Sequence, residues 1–166
     1  YICSKELKQI WLHNNFSYLQ DAYLLEFIPL FDYSLKKQVR NPKKVYAIDL
    51  GIYQQNSTLF SDNTRHTLEN AVYLHLRRTT KEIYYFQQEG ECDFVTIQRG
   101  KAGPLIQVCY ELNEMNLDRE AKGLFGAMRF FNKKEGIIVT QNQKDCFTEG
   151  EMTIKVVPAF EFMDEN

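Results

Sequence analysis

The sequence has no unbroken apolar run of the roughly 18–20 residues that a membrane helix needs. The best stretch, residues 22–31, is interrupted by Glu26 and Pro29. It holds four cysteines, Cys3, Cys92, Cys109 and Cys146, with no C-x-x-C pair, and His13, His66 and His75 have no i,i+4 spacing. Both absences argue against a zinc site, and scattered cysteines in a chain with a core suit a reducing cytoplasm. One charge does not dominate either: 20 Lys and Arg against 22 Asp and Glu leave −2, which excludes a globally basic nucleic-acid coat. There is no Pro/Gly/Ser linker, no repeat and no low-complexity tract. A phosphate-binding loop is missing too, because Gly100-Lys101 lacks the earlier Gly and the following Ser or Thr. The chain is therefore not expected to bind or hydrolyse ATP. It opens on Tyr1 and shows no signal-peptide pattern, which reads as a piece of a longer cytoplasmic protein.

What is present can build a core. In 166 residues the hydrophobic fraction is 44%, with 12 Phe, 10 Tyr and one Trp, enough for one full-sized domain. Charge is uneven along the chain: residues 1–83 carry 11 basic against 8 acidic side chains, and residues 84–166 carry 9 against 14.

Periodicity predicts the elements. Leu7, Ile10 and Trp11 share a helical stripe, and residues 23–30 and 44–48 read as strands flanking a basic hairpin. Ser61, Asp62 and Asn63 offer caps for a helix to about Arg78, with Leu68, Val72 and Leu76 at i+4 spacing. Strands follow at 82–88, 91–98 and 105–110, separated by Glu89-Gly90 and by a gap with Gly100 and Gly103. A second amphipathic helix spans about 117–131, and strands follow at 137–140 and 153–157. The expected architecture is α/β: a mixed sheet flanked by helices. Residues 57–166 form the main domain in this reading, and residues 1–56 an extension of one helix and the basic β-hairpin.

Two acids stand out. Glu69 lies about 60° from Val72 and about 20° from Leu76 around the helix, inside the apolar stripe, where a carboxylate needs a cation, a donor or a metal. Asp93 sits inside a strand, where Asp is disfavoured. If Gln98 faces Pro104 across the hairpin, Asp93 lies opposite Cys109 with Gln107 on its diagonal. Alternation would place Asp93 and Val95 on one face and Cys92 and Phe94 on the other.

The strings Lys44-Val45-Tyr46-Ala47-Ile48-Asp49-Leu50-Gly51, Leu68-Glu69-Asn70-Ala71-Val72, Glu91-Cys92-Asp93-Phe94-Val95, Ile106-Gln107-Val108 and Arg119-Glu120 come in a characteristic order. In that order the chain resembles the C-terminal domain of unknown function of bacterial and archaeal AAA-type ATPases, in the PD-(D/E)XK, restriction-endonuclease-like superfamily. The resemblance implies an acid on the helix, an Asp on the second strand and Glu-x-Lys on the third, with the acids holding Mg²⁺. Glu69 and Asp93 take the first two positions and are the implied metal ligands. Gln107 and Cys109 stand at the third, so the acid is a neutral amide and the Lys is lost. Loss of a charge-stabilising group costs about 10²–10³ in rate, so a catalytically degenerate module is expected, binding nucleic acid or partner subunits beside an upstream ATPase domain. A working Mg²⁺-dependent nuclease and a structural oligomerisation module are the alternatives. Lys36, Lys37, Arg40, Lys43 and Lys44 are the candidate phosphate contacts, with Tyr33 and Tyr46 as stacking surfaces.

Overall fold

The computed structural model describes residues 17–51, 63–88 and 90–164. The expected helix around Leu7, Ile10 and Trp11 lies outside the described residues. Among those described, the elements in chain order are β1 (Leu25–Pro29), α1 (Leu35–Arg40), β2 (Lys43–Ala47), α2 (Asn63–Thr79), β3 (Glu82–Gln87), β4 (Glu91–Gln98), β5 (Lys101–Val108), α3 (Leu117–Phe131), β6 (Glu135–Thr140), β7 (Asp145–Glu149), β8 (Met152–Pro158) and α4 (Ala159–Asp164).

The fold is α/β. Strands β3 to β8 form a six-stranded mixed sheet in the order β3-β4-β5-β6-β8-β7, and β1 and β2 form a separate antiparallel pair. The first three strands of the large sheet are an antiparallel meander. The α3 crossover then brings β6 parallel to β5, and β8 parallel to β6. Among the described residues no helix is long and apolar enough to cross a membrane.

Two cores cover the two faces of the sheet. On one, Leu68, Val72, Tyr73 and Leu76 of α2 pack on Ile83, Tyr85, Phe94, Ile106, Val108 and Val139. On the other, Leu124, Phe125, Ala127 and Met128 of α3 pack on Phe86, Cys92, Val95, Leu105, Ile138, Ile154 and Val156. Ile28 and Tyr46 of the β1–β2 pair belong to the α2 core, so the described part of the expected extension shares the main core. Glu26 of β1 further accepts hydrogen bonds from Tyr73 Oη and, at 2.8 Å, from Arg77 Nε of α2.

Three sequence expectations are corrected. The connection from β1 to β2 is not a simple basic hairpin: α1 interrupts it and carries Lys36, Lys37 and Arg40, while Lys43 and Lys44 open β2. The β4–β5 turn is Arg99-Gly100 alone, both at positive φ (52° and 74°), the geometry of a two-residue turn matched to strand twist. Gly103 lies inside β5, where a Cβ would come within 2.5 Å of Thr96 Oγ1. Gln98 therefore pairs with Lys101, and a register shift between Val95 and Ile97 then pairs Phe94 with Ile106, which puts Asp93 level with Gln107 instead of Cys109.

The third correction concerns facing. Tyr84 pairs with Val95 but Phe86 with Cys92, so Asp93 and Phe94 together oppose Tyr85 in a β-bulge. The extra residue resets the alternation: Phe94 joins the α2 core while Cys92 and Val95 join the α3 core.

Candidate functional site

That bulge builds the site. At the β-bulge Asp93 turns its carboxylate along the sheet: Oδ2 accepts the Val108 N–H at 2.8 Å, and Oδ1 meets Lys44 Nζ at 2.6 Å. Glu69, one turn before Val72 on α2, presents Oε1 to the same ammonium at 3.1 Å, and Glu91 adds a third carboxylate at 2.5 Å. The buried acid on the helical stripe thus has a cation partner, and the partner is Lys44. These groups line a cleft of about 410 Å³, with Arg65 and His66 of α2 on its wall.

Local packing sets each position. Asn70 clamps β2 to α2: its Oδ1 accepts the Ala47 N–H and its Nδ2 donates to the Ala47 carbonyl, both at 2.8 Å. Lys44, three residues before Ala47, is thereby held over Glu69. Tyr46 stacks on Tyr73 at 4.4 Å and donates its hydroxyl to Glu69 at 2.7 Å. It is 4% exposed, so the expected stacking surface at Tyr46 is a core group. Tyr85 lies under Lys44 with its ring centroid 5.8 Å from Nζ, a cation–π contact.

The charges shift one another. Burial alone would lower the Lys44 pKa, but Asp93 and Glu69 beside it hold it above the ordinary lysine value. Burial first, and Glu69 second, push the Asp93 carboxyl up to about 6 against the pull of Lys44. Burial, reinforced by Glu69, raises the Tyr46 phenol, so it stays a hydrogen-bond donor.

Gln107 does not join the carboxylates. Its side chain leaves the α3 side of β5, accepts the Asp93 N–H on Oε1 at 3.0 Å and donates Nε2 to Glu120 Oε2 at 2.6 Å. Glu120, on α3 and 2% exposed, is also held by Arg119 at 2.5 Å, with Arg65 at 4.0 Å. Cys109 sits near this second carboxylate; burial and then Glu120 raise its thiol pKa, and it donates to the Glu111 carbonyl. Gly123 makes the arrangement possible, since a Cβ there would lie 2.1 Å from the Glu91 carbonyl. That close approach seats α3 on the start of β4 and brings Glu120 to Gln107.

The structure thus brings Glu69 and Asp93 together, attaches Gln107 to the Asp93 backbone, and leaves Cys109 apart from their carboxylates. Of the five expected phosphate contacts, Lys44 is drawn into the acid cleft; Lys36, Lys37, Arg40 and Lys43 remain exposed. Glu91 and Glu120 are the members that sequence spacing missed as site groups, and Lys44 was expected as a phosphate contact and not as the partner of the acids. Lys44 stood within a basic run, and its acids are 25 and 49 positions away. The one signal for Glu120 was its place beside Arg119 on the second helix.

Mg²⁺ prefers several oxygen ligands around one point. Three carboxylates do converge here, but the ammonium of Lys44 occupies their common point. Among the described residues no group of three or more His, Cys, Asp or Glu is arranged to hold a metal. The residues as placed do not fit the ion that the acids would otherwise suit.

No family model matches the chain, and no solved structure matches it. Over 159 residues it is 35% identical to an uncharacterised protein of Methanocaldococcus jannaschii, an alignment covering 89% of this chain and 34% of that protein. The chain therefore spans about a third of the length of the curated relative it matches.

Proposed function

We propose that this chain is a PD-(D/E)XK-like module of a longer AAA-type ATPase, catalytically degenerate and used to bind nucleic acid. The observation that carries the reading is Lys44 Nζ, 2.5–3.1 Å from the carboxylates of Glu69, Glu91 and Asp93. An internal cation bridges the acids and offsets part of their charge at the point where a hydrolytic member of the superfamily would place its metal, so the acids have a shared partner without one. The helix with Glu69, the hairpin with Asp93 and the strand with Gln107 and the adjoining Cys109, from α2 to β5, come in the order the resemblance implies. The greater length of the archaeal relative leaves room for an ATPase module. Exposed Lys36, Lys37, Arg40 and Lys43 supply charge for phosphate contacts.

One observation favours an active nuclease instead: the ammonium missing from β5 is delivered to the acids by β2. A cleavage assay on single- and double-stranded DNA and RNA with Mg²⁺ or Mn²⁺ separates the two, run beside binding measured at graded salt. The degenerate reading expects salt-sensitive binding and no cleavage. Cleavage abolished by Asp93→Ala establishes the nuclease, and absence of binding at low salt leaves the structural module.

A further inference from the structure

The far end of the β4–β5 hairpin carries a second concavity, of about 670 Å³, with different chemistry. It lies beside Ile97, six residues along β4 from Glu91 and so roughly 20 Å from the acid cleft at the rise of a strand. Its wall is aromatic. Phe31 meets Tyr33 and Phe131 edge-on, with centroids 5.3 and 4.8 Å apart, and Tyr33 lies beside Phe130 at 5.9 Å. Tyr33 is nevertheless 80% exposed, so most of its ring meets water. Lys101 and Lys133 stand on the groove, and neither forms an ion pair among the described residues. The acid of the groove is already engaged: Asp32 accepts the Ser34 N–H at 2.8 Å and faces Lys37 at 3.5 Å.

We propose that this groove binds single-stranded nucleic acid, with a base stacked on Tyr33 and adjacent phosphates at Lys101 and Lys133. An exposed ring beside uncompensated cations matches a polyanion that carries flat apolar faces. A duplex hides those faces within its own stack, and an acidic peptide would leave the ring without a partner. The inference deepens the nucleic-acid reading above, on which it rests, and assigns contact to a groove that adjoins the basic run at Asp32 and Gln38 and lies away from the acid cleft.

The test is fluorescence anisotropy of the full chain with labelled oligo(dT), a duplex of the same length and a Glu-rich peptide, over a range of salt. Oligo(dT) is expected to bind more tightly than the duplex, and Tyr33→Ala to weaken it by about tenfold. Lys101→Gln with Lys133→Gln should weaken it further and reduce the slope of log K against log salt by about 1.4. These residues are at the surface, so thermal unfolding followed by circular dichroism should match the parent chain. Unchanged binding in these variants, with weakening by Lys36→Gln/Lys37→Gln/Arg40→Gln, would overturn the groove and keep the nucleic-acid module. No binding of either nucleic acid at low salt would overturn both. Tighter binding of the peptide than of oligo(dT) would overturn the groove's assignment in favour of a protein partner.

Discussion

Beneath α3, Leu124, Ala127 and Met128 have no measurable exposure and meet Val95, Leu105 and Ile138, which have none either. Beneath α2, on the opposite face of the same sheet, Glu69, Asn70, Tyr46 and Asp93 are also buried, though at the edge of the cleft, and carry charge or hydrogen-bonding groups. Apart from Glu120, paired with Gln107 and Arg119, the first face is held by close packing, where shape decides stability. The second depends on every polar group finding a partner, because a buried group left alone costs far more than a satisfied one contributes. Among the described residues no buried side-chain nitrogen or oxygen lacks a partner.

The largest effect should come from the polar face. Lys44→Met leaves three neighbouring carboxylates without their shared cation and should destabilise by about 3 kcal/mol in urea unfolding. Adding Asp93→Asn should recover part of that loss; no recovery would mean that Lys44 acts through packing and not through charge. On the apolar face, Gly123→Ala drives a methyl into the Glu91 carbonyl and should cost about 2 kcal/mol by the same measurement. It should also loosen the Glu120–Gln107 contact, seen as a shift of the Gln107 side-chain amide in NMR spectra.

Asn70→Ala removes both bonds to Ala47 and should cost about 1.5 kcal/mol. An effect near zero would mean that the clamp is not what holds β2 to α2. The pH response is subtler. Since burial and Glu69 raise the Asp93 pKa from 3.8 to about 6, the folded chain holds that proton more tightly than the unfolded chain. The contribution to stability is full below about pH 4 and is lost as pH rises through about 6, the reverse of an ordinary salt-bridged carboxylate. Carboxyl carbon titration should show the raised value, and Asp93→Asn should remove this part of the pH slope. Smallest of all, Arg129→Ala breaks a surface pair with Glu149, both about half exposed, and should change stability by less than about 0.5 kcal/mol.

Much of the fold was legible because its elements bury one face and obey a period. The helical stripe of Leu68, Val72 and Leu76 and that of Leu124, Phe125 and Met128 are the ones that pack in the two cores. β4 has the expected span, residues 91–98. β7 escaped because it is an edge strand in which Phe147 alone is packed, leaving no alternation to read. α4 is six residues long, too short for a helical period to declare itself, although Phe162 and Met163 rest on the α2 core. α1 escaped for a related reason: none of its residues is buried. In the site, Glu69 and Asp93 were visible as acids at costly positions. The register that relates Asp93 to Gln107 was not, because a bulge leaves no mark in composition.

By itself the amino-acid order determined the longer helices and the strands with a buried face, the buried stripes of α2 and α3, and the two acids that could not remain without partners. Those are local properties, set by period and by the cost of burying charge. Only the tertiary structure decided that Lys44 leaves the basic run for the acids, that Gln107 turns to Glu120, and that Tyr33 stays open beside Lys101 and Lys133. Each depends on a bulge, a clamp or a close helix approach joining segments far apart in the chain, and an ammonium goes where the nearest uncompensated carboxylates are in space.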